Sequence, residues 1–172
     1  MPDFSTRAAM KIFGIAGWSG SGKTTLLTRL IPALTRAGIR VATIKHTHHD
    51  PAVGDEECRA LARAGAVECV LASPSRFALV HEIHHDESEP PLDWLMERFA
   101  GIDLLLIEGY KWAPHPKLEV WDPLLGKSML APVEKSIVAL ASDDPVADVP
   151  LPRFRRDDID GIADYIGQYC RI

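Results

Sequence analysis

Residues 11–38 constrain this chain more than any other stretch, because they read as a strand, a glycine-rich loop and a helix in immediate succession. The run KIFGIAG is short, apolar and rich in β-branched and aromatic residues, the pattern of a buried strand. The run LLTRLIPALTRAG sets Leu26, Leu27, Leu30, Ile31 and Leu34 at helical spacing, and Gly38 stands where a helix-ending glycine belongs. Pro32 removes one hydrogen bond from that helix and is expected to kink it. Between strand and helix, Gly17 to Thr24 spell G-x-x-x-x-G-K-[ST], the phosphate-binding loop. The spelling has a physical basis. Glycines let the backbone curl so that its N–H groups converge on an anion, and the helix that follows presents its positive end there. Gly20, Ser21, Gly22, Lys23, Thr24 and Thr25 are therefore expected around a polyphosphate. Lys23 would reach the β- and γ-phosphates, and the Thr24 hydroxyl would ligate Mg²⁺.

Composition bounds the rest. A chain of 172 residues with 47% hydrophobic content is read as one domain, residues 10–172, with a sufficient core. Residues 1–9 are polar and read as a disordered tail. The formal net charge of −5 argues against general affinity for nucleic acid or an anionic membrane, so any basic site is local. Cys58, Cys69 and Cys170 are odd in number and lack a C-x-x-C spacing, which reads as reduced thiols in a cytoplasmic protein. No apolar run approaches membrane-spanning length, and no secretory pattern opens the sequence.

Along the chain, strands are expected at 40–44, 67–72, 77–83, 103–107, 117–121 and 137–141, and helices at 56–64, 92–99 and 157–169. Leu92, Leu95, Met96 and Phe99 are expected to face inward. Strands alternating with helices, strand first, predict an α/β fold: a P-loop NTPase-like three-layer arrangement with a mainly parallel sheet. The strands at 77–83 and 117–121 follow short links and are expected as antiparallel additions. The second of these is expected at an exposed edge, where it offers a surface for self-association.

Three further clusters carry chemistry. The apolar run DLLLI ends in Glu108. An acid at the end of a strand beside a phosphate-binding loop holds Mg²⁺ directly or through water, whereas an unpaired one simply closes the strand in solvent. Asp103, at the other end, reads as a strand-start cap. Lys45-His46-Thr47-His48-His49-Asp50 crowds the C-terminal end of a strand, the edge where open α/β sheets bind ligands, and reads as a polar lip around a terminal phosphate, with Asp50 near Mg²⁺. A second group, His81, His84 and His85, has no supporting cysteines and reads as a solvated hairpin end rather than a zinc site. Ser142-Asp143-Asp144 follows another apolar strand. A carboxylate there either accepts N1–H and N2–H of guanine or caps the turn before Pro145, and spacing alone leaves both open.

Taken together, GWSGSGKTTLLTRLIPAL, GIRVATIKHTHHD, LLLIEGYK with PKLEV, and ALASDD resemble the molybdopterin-guanine dinucleotide biosynthesis protein B family over nearly the whole chain. The resemblance implies a homodimeric GTP-binding protein with weak GTP hydrolysis. It implies an adapter role beside the molybdopterin nucleotidyltransferase that attaches GMP. It also implies metal-linked roles for Asp50 and Glu108, favours guanine for Asp143 or Asp144, and makes Lys111 a candidate for an anionic ligand. One departure is the turn after His49-Asp50, where the family's Pro-Gly-Lys-Asp-Ser-like segment is replaced by Gly54-Asp55-Glu56-Glu57-Cys58. Two other classes fit a phosphate-binding loop or histidine clusters. A small-metabolite kinase would bring an arginine-bearing lid, and a metal chaperone would bind metal without nucleotide.

Overall fold

The structure, a computed structural model, describes residues 10–47, 56–83, 88–145 and 149–172. Its strands are β1 (Lys11–Ala16), β2 (Val41–Lys45), β3 (Glu68–Ala72), β4 (Phe77–His81), β5 (Leu104–Glu108), β6 (Lys117–Val120), β7 (Ile137–Ala141) and β8 (Arg153–Phe154). Its helices are α1 (Lys23–Arg36), α2 (Glu56–Arg63), α3 (Leu92–Met96) and α4 (Ile159–Cys170). The chain falls into two compact units, Met1–His46 with Phe99–Ile172, and Thr47–Arg98.

In the larger unit a parallel sheet runs β2-β5-β1-β6-β7-β8. LLLIE in β5 is buried at every position because β1 and β2 flank it and both its faces are covered. Alternate residues Phe13, Ile15, Leu104, Leu106, Leu118 and Val120 meet Leu26, Leu27, Leu30 and Leu34 of α1 and Ile162 and Ile166 of α4 in one core. Losing one such leucine to alanine costs about 2–5 kcal/mol. The helix α1 runs unbroken across Pro32. It stops at Gly38, whose φ of 84° lets Gly38 N donate to Thr35 O and Ile39 N to Leu34 O. Asp158 caps α4 by accepting from Gly161 N at 3.1 Å. The other sheet face carries a smaller core of Leu130, Ile137, Leu140 and Val149, flanked by Trp18 and Trp121.

The fold class is as expected, but β6 is not. It is a parallel strand in the sheet interior between β1 and β7, with all four residues buried, so it offers no edge for self-association. Two facts explain the difference. Five-residue strands are only about 17 Å long, so the short link after β5 suffices to return the chain to the start of a parallel strand. The charged alternation of Lys117 and Glu119 is also satisfied internally. The Lys117 ammonium donates to Ala113 O and Ser136 Oγ, both at 2.5 Å, and the Glu119 carboxylate accepts from Leu130 N and Ala131 N, both at 2.8 Å. Burial pushes the Lys117 ammonium down and the Glu119 carboxyl up from their usual ranges. Asp103 is more than a cap, because it holds Arg40 through Nε at 2.8 Å and through its backbone N at 2.9 Å.

The smaller unit holds α2, α3 and an antiparallel β3–β4 hairpin closed by Ser73 and Arg76. The antiparallel pairing of 77–81 is as expected, but it forms a separate two-stranded sheet. The helix α3 spans only five residues and buries none of them fully, so Leu92, Leu95 and Met96 are half-covered rather than core.

Candidate functional site

The chain must turn from the end of β1 to the start of α1 within residues 17–22, and the glycines make this possible. Gly17, Gly20 and Gly22 have φ of 138°, 85° and 94°. At Gly17 space is as limiting as conformation, since a Cβ would strike the Val120 carbonyl oxygen and lie 2.7 Å from Ser21 Oγ. Gly22 occupies the N-cap of α1 without a capping side chain, leaving the first amides of the helix available to an anion. Ser21 is buried, and its hydroxyl has no partner among the described residues.

Lys23 folds back onto the loop, its Nζ donating to Trp18 O at 2.8 Å. Burial, the largest influence, pushes its pKa below the usual lysine value. The Glu108 charge opposes this, and the charges of Lys111 and Lys45 add to it. Lys111 lies over the Trp18 indole, Nζ 4.2 Å from the ring centroid. A half-buried loop lysine surrounded by further cations and one acid is an arrangement suited to a highly charged anion.

Sheet register builds the acidic side. Glu108 pairs with Ile15 of β1 on one flank and Lys45 of β2 on the other, so all three strand ends meet beside the loop. Thr24 Oγ1 donates to Glu108 Oε1 at 2.7 Å; Lys45 Nζ lies 3.1 Å from Thr24 Oγ1 and 3.4 Å from Glu108 Oε1. Glu108 is 7% exposed, and a buried carboxylate needs a countercharge. Here the Lys45 ammonium supplies it, standing where a hydroxyl and a carboxylate oxygen converge. Hard oxygen donors around a point already occupied by positive charge fit a divalent cation such as Mg²⁺. His46 extends the same edge: its N donates to Glu108 O at 2.9 Å, and its ring packs 4.6 Å from that of Tyr110.

On another flank of the loop the structure assembles residues that the sequence reading did not connect. Arg156 Nε donates to Asp143 Oδ2 at 2.7 Å and Arg156 N to Asp143 Oδ1 at 3.0 Å. Its Nη1 reaches Asp122 Oδ2 at 3.0 Å and Ser21 O at 3.5 Å. The Arg156 hydrogen bond holds the Asp143 carboxyl below its usual range. Asp144 lies at the surface, its N donating to Ser142 Oγ at 3.3 Å. The segment after β6 is also tied to the loop, since Trp18 Nε1 donates to Ser128 O at 2.8 Å. No local pattern signals Arg156 or Ser128 as neighbours of the site; they meet the loop through contacts 135 and 110 residues apart.

The structure thus brings Gly20, Ser21, Gly22, Lys23, Thr24 and Glu108 together with Lys45 and Lys111, and ties Asp143 to the same loop. Thr25 is exposed in the first turn of α1. Asp50, His48 and His49 lie outside the described residues, as do His84 and His85. His81 Nδ1 pairs with Glu68 Oε1 at 2.9 Å, and the described residues contain no group of three His, Cys, Asp or Glu side chains arranged to hold a metal ion.

Comparison with known proteins gives a consistent answer. Residues 12–143 match the family described as molybdopterin guanine dinucleotide synthesis protein B. The chain is 37% identical over 171 residues to the molybdopterin-guanine dinucleotide biosynthesis adapter protein of Escherichia coli (strain K12), covering 96% of each. It is 37% identical over 139 residues to the protein of that name from Haemophilus influenzae, covering 78% of this chain and 76% of that one. A crystal structure of molybdopterin-guanine biosynthesis protein B superposes with a TM-score of 0.73 at 31% identity, over 94% of this chain and 99% of the other.

Proposed function

Because the chain belongs to the molybdopterin guanine dinucleotide synthesis protein B family, we propose that it is a GTP-binding adapter of molybdopterin guanine dinucleotide biosynthesis that turns GTP over slowly. The observation that carries this reading is the meeting of Thr24, Glu108 and Lys45 beside the glycine-rich loop. Loop amides and Lys23 bind the triphosphate. Thr24 and Glu108 are the residues that would hold Mg²⁺, with Asp50 the further acid that the family resemblance assigns to it. When bound, the ion supplies positive charge against the β- and γ-phosphates. Lys45 and Lys111 add cationic charge at the same edge. Asp143 or Asp144, at the end of β7, reads guanine through N1–H and N2–H, a pair of donors that adenine lacks.

The name of the relatives, adapter proteins of molybdopterin-guanine dinucleotide biosynthesis, supports a partner in the pathway, and we assign that partner as the molybdopterin nucleotidyltransferase. A homodimer is supported by the hairpin. Val70 and Leu79, paired across the strands, and Phe77 are exposed on one face, and an isolated two-stranded sheet is marginal in water. No described helix is long and apolar enough to cross a membrane; we assign a cytoplasmic location on the three cysteines, odd in number and without a C-x-x-C spacing. A kinase reading would need an arginine available to a lid. Arg63, Arg155 and Arg156 are instead engaged with Glu56, Asp157 and Asp143.

Equilibrium titration with GTP, ATP, GMP and AMP, with and without Mg²⁺, tests the binding claims. GTP should bind more tightly than ATP, Mg²⁺ should strengthen triphosphate binding, and monophosphates should bind weakly. Equal affinity for GTP and ATP would overturn the guanine assignment.

A further inference from the structure

Resting on the guanine reading of Asp143, we propose that Arg156 is a positioning residue. It fixes the base-reading carboxylate and ties it to the phosphate loop at Ser21, so that one side chain aligns both ends of the nucleotide site.

The geometry is specific. Asp143 stands at the exposed end of β7, where a short acidic side chain is free to sample several rotamers. Two bonds from Arg156 remove that freedom, one from Nε to Oδ2 and one from the backbone N to Oδ1. Each carboxylate oxygen spends one acceptor position on Arg156 and keeps another, which is what a two-donor base edge requires. The same guanidinium continues through Nη1 to Asp122 Oδ2 and Ser21 O. Two carboxylates share one guanidinium, so the cluster retains acceptor character and negative charge for an incoming N–H pair. Arg156 is only 29% exposed and Asp122 15%, so the strut is partly shielded from water and from screening. Lysine cannot reproduce this role, because an ammonium lacks the planar fork that serves Asp143, Asp122 and a carbonyl together.

The experiment measures affinities for GTP, ATP and inorganic tripolyphosphate in wild type, Arg156→Ala, Arg156→Lys, Asp143→Asn and the Arg156→Lys/Asp143→Asn double variant, with thermal melts to confirm folding. Arg156→Lys keeps the positive charge beside Asp122 and carries the test if Arg156→Ala does not fold. The expected result is that each single variant lowers the GTP-over-ATP ratio by about tenfold or more, the equivalent of one lost hydrogen bond's orientation. The double variant should lose no more than Asp143→Asn alone. A merely structural arginine would weaken all three ligands equally and leave the ratio intact. An unchanged ratio in the Arg156 variants, with Asp143→Asn lowering it, overturns the strut while the guanine reading stands. An unchanged ratio in Asp143→Asn overturns the reading of Asp143 and the strut with it.

Discussion

Replacing Lys23 with alanine is expected to weaken triphosphate binding by roughly 10- to 150-fold, the loss of one charge-assisted contact of about 1.5–3 kcal/mol. The fold should survive, because the Trp18 carbonyl that Lys23 engages also accepts from Ser21 N at 3.2 Å and is not orphaned. The loss should be similar for GTP, ATP and inorganic tripolyphosphate, since Lys23 addresses phosphate and not base. The GTP-over-ATP ratio should therefore stay at its wild-type value. Calorimetric titration of the three ligands checks this. Undiminished affinity in a folded variant would remove the loop from the binding site.

Gly17→Val should act on stability before it acts on binding. Gly17 has a φ of 138°, a conformation that side-chain-bearing residues rarely adopt, and strain of this kind costs about 1–3 kcal/mol. The new Cβ would also strike the Val120 carbonyl of the neighbouring strand and crowd Ser21 Oγ, adding about 1–3 kcal/mol for overpacking. Together these correspond to a fall in melting temperature of about 4–24 °C for a domain of this size. Gly38→Ala is the control. Its φ of 84° is also left-handed, but a Cβ there meets no neighbour within 4 Å, so only the backbone strain remains. Equal loss in both variants, measured by thermal melts, would show that contact with Val120 contributes nothing.

Much of the site was legible because its chemistry is local in sequence. The loop from Gly17 to Thr24 announces itself by spacing, and Glu108 by its place at the end of an apolar run. The parallel sheet followed from the alternation of strands and helices. What the sequence hid depends on distant partners. KLEV in β6 has the alternation of a half-exposed strand, yet it lies in the interior because Ser136, Leu130 and Ala131 supply hydrogen bonds that periodicity cannot show. Arg156 sits in a charged run, RFRRDD, that looks like ordinary surface. Its role arises only when β7 brings Asp143 beside it and the loop presents Ser21. Leu92, Leu95 and Met96 have helical spacing, but a five-residue helix presents too little face to bury them.

The central claim of the proposed reading is that this protein holds GTP as an adapter and, alone, hydrolyses it at most slowly. In the proposed reading Lys23, Lys45 and Lys111 would bind and partly neutralise a triphosphate, whereas Arg156 is paired with Asp143 and Asp122. Held in this way, Arg156 is not free to serve as an arginine finger, a group worth roughly 10³–10⁵ in rate. The direct measurement is single-turnover hydrolysis of GTP by the purified protein, alone and with the molybdopterin nucleotidyltransferase. The account predicts a rate for the protein alone far below the roughly 1–100 s⁻¹ typical of kinases, with GDP and inorganic phosphate as the products. Fast turnover by the protein alone, or transfer of the γ-phosphate to a small-molecule acceptor, would contradict it.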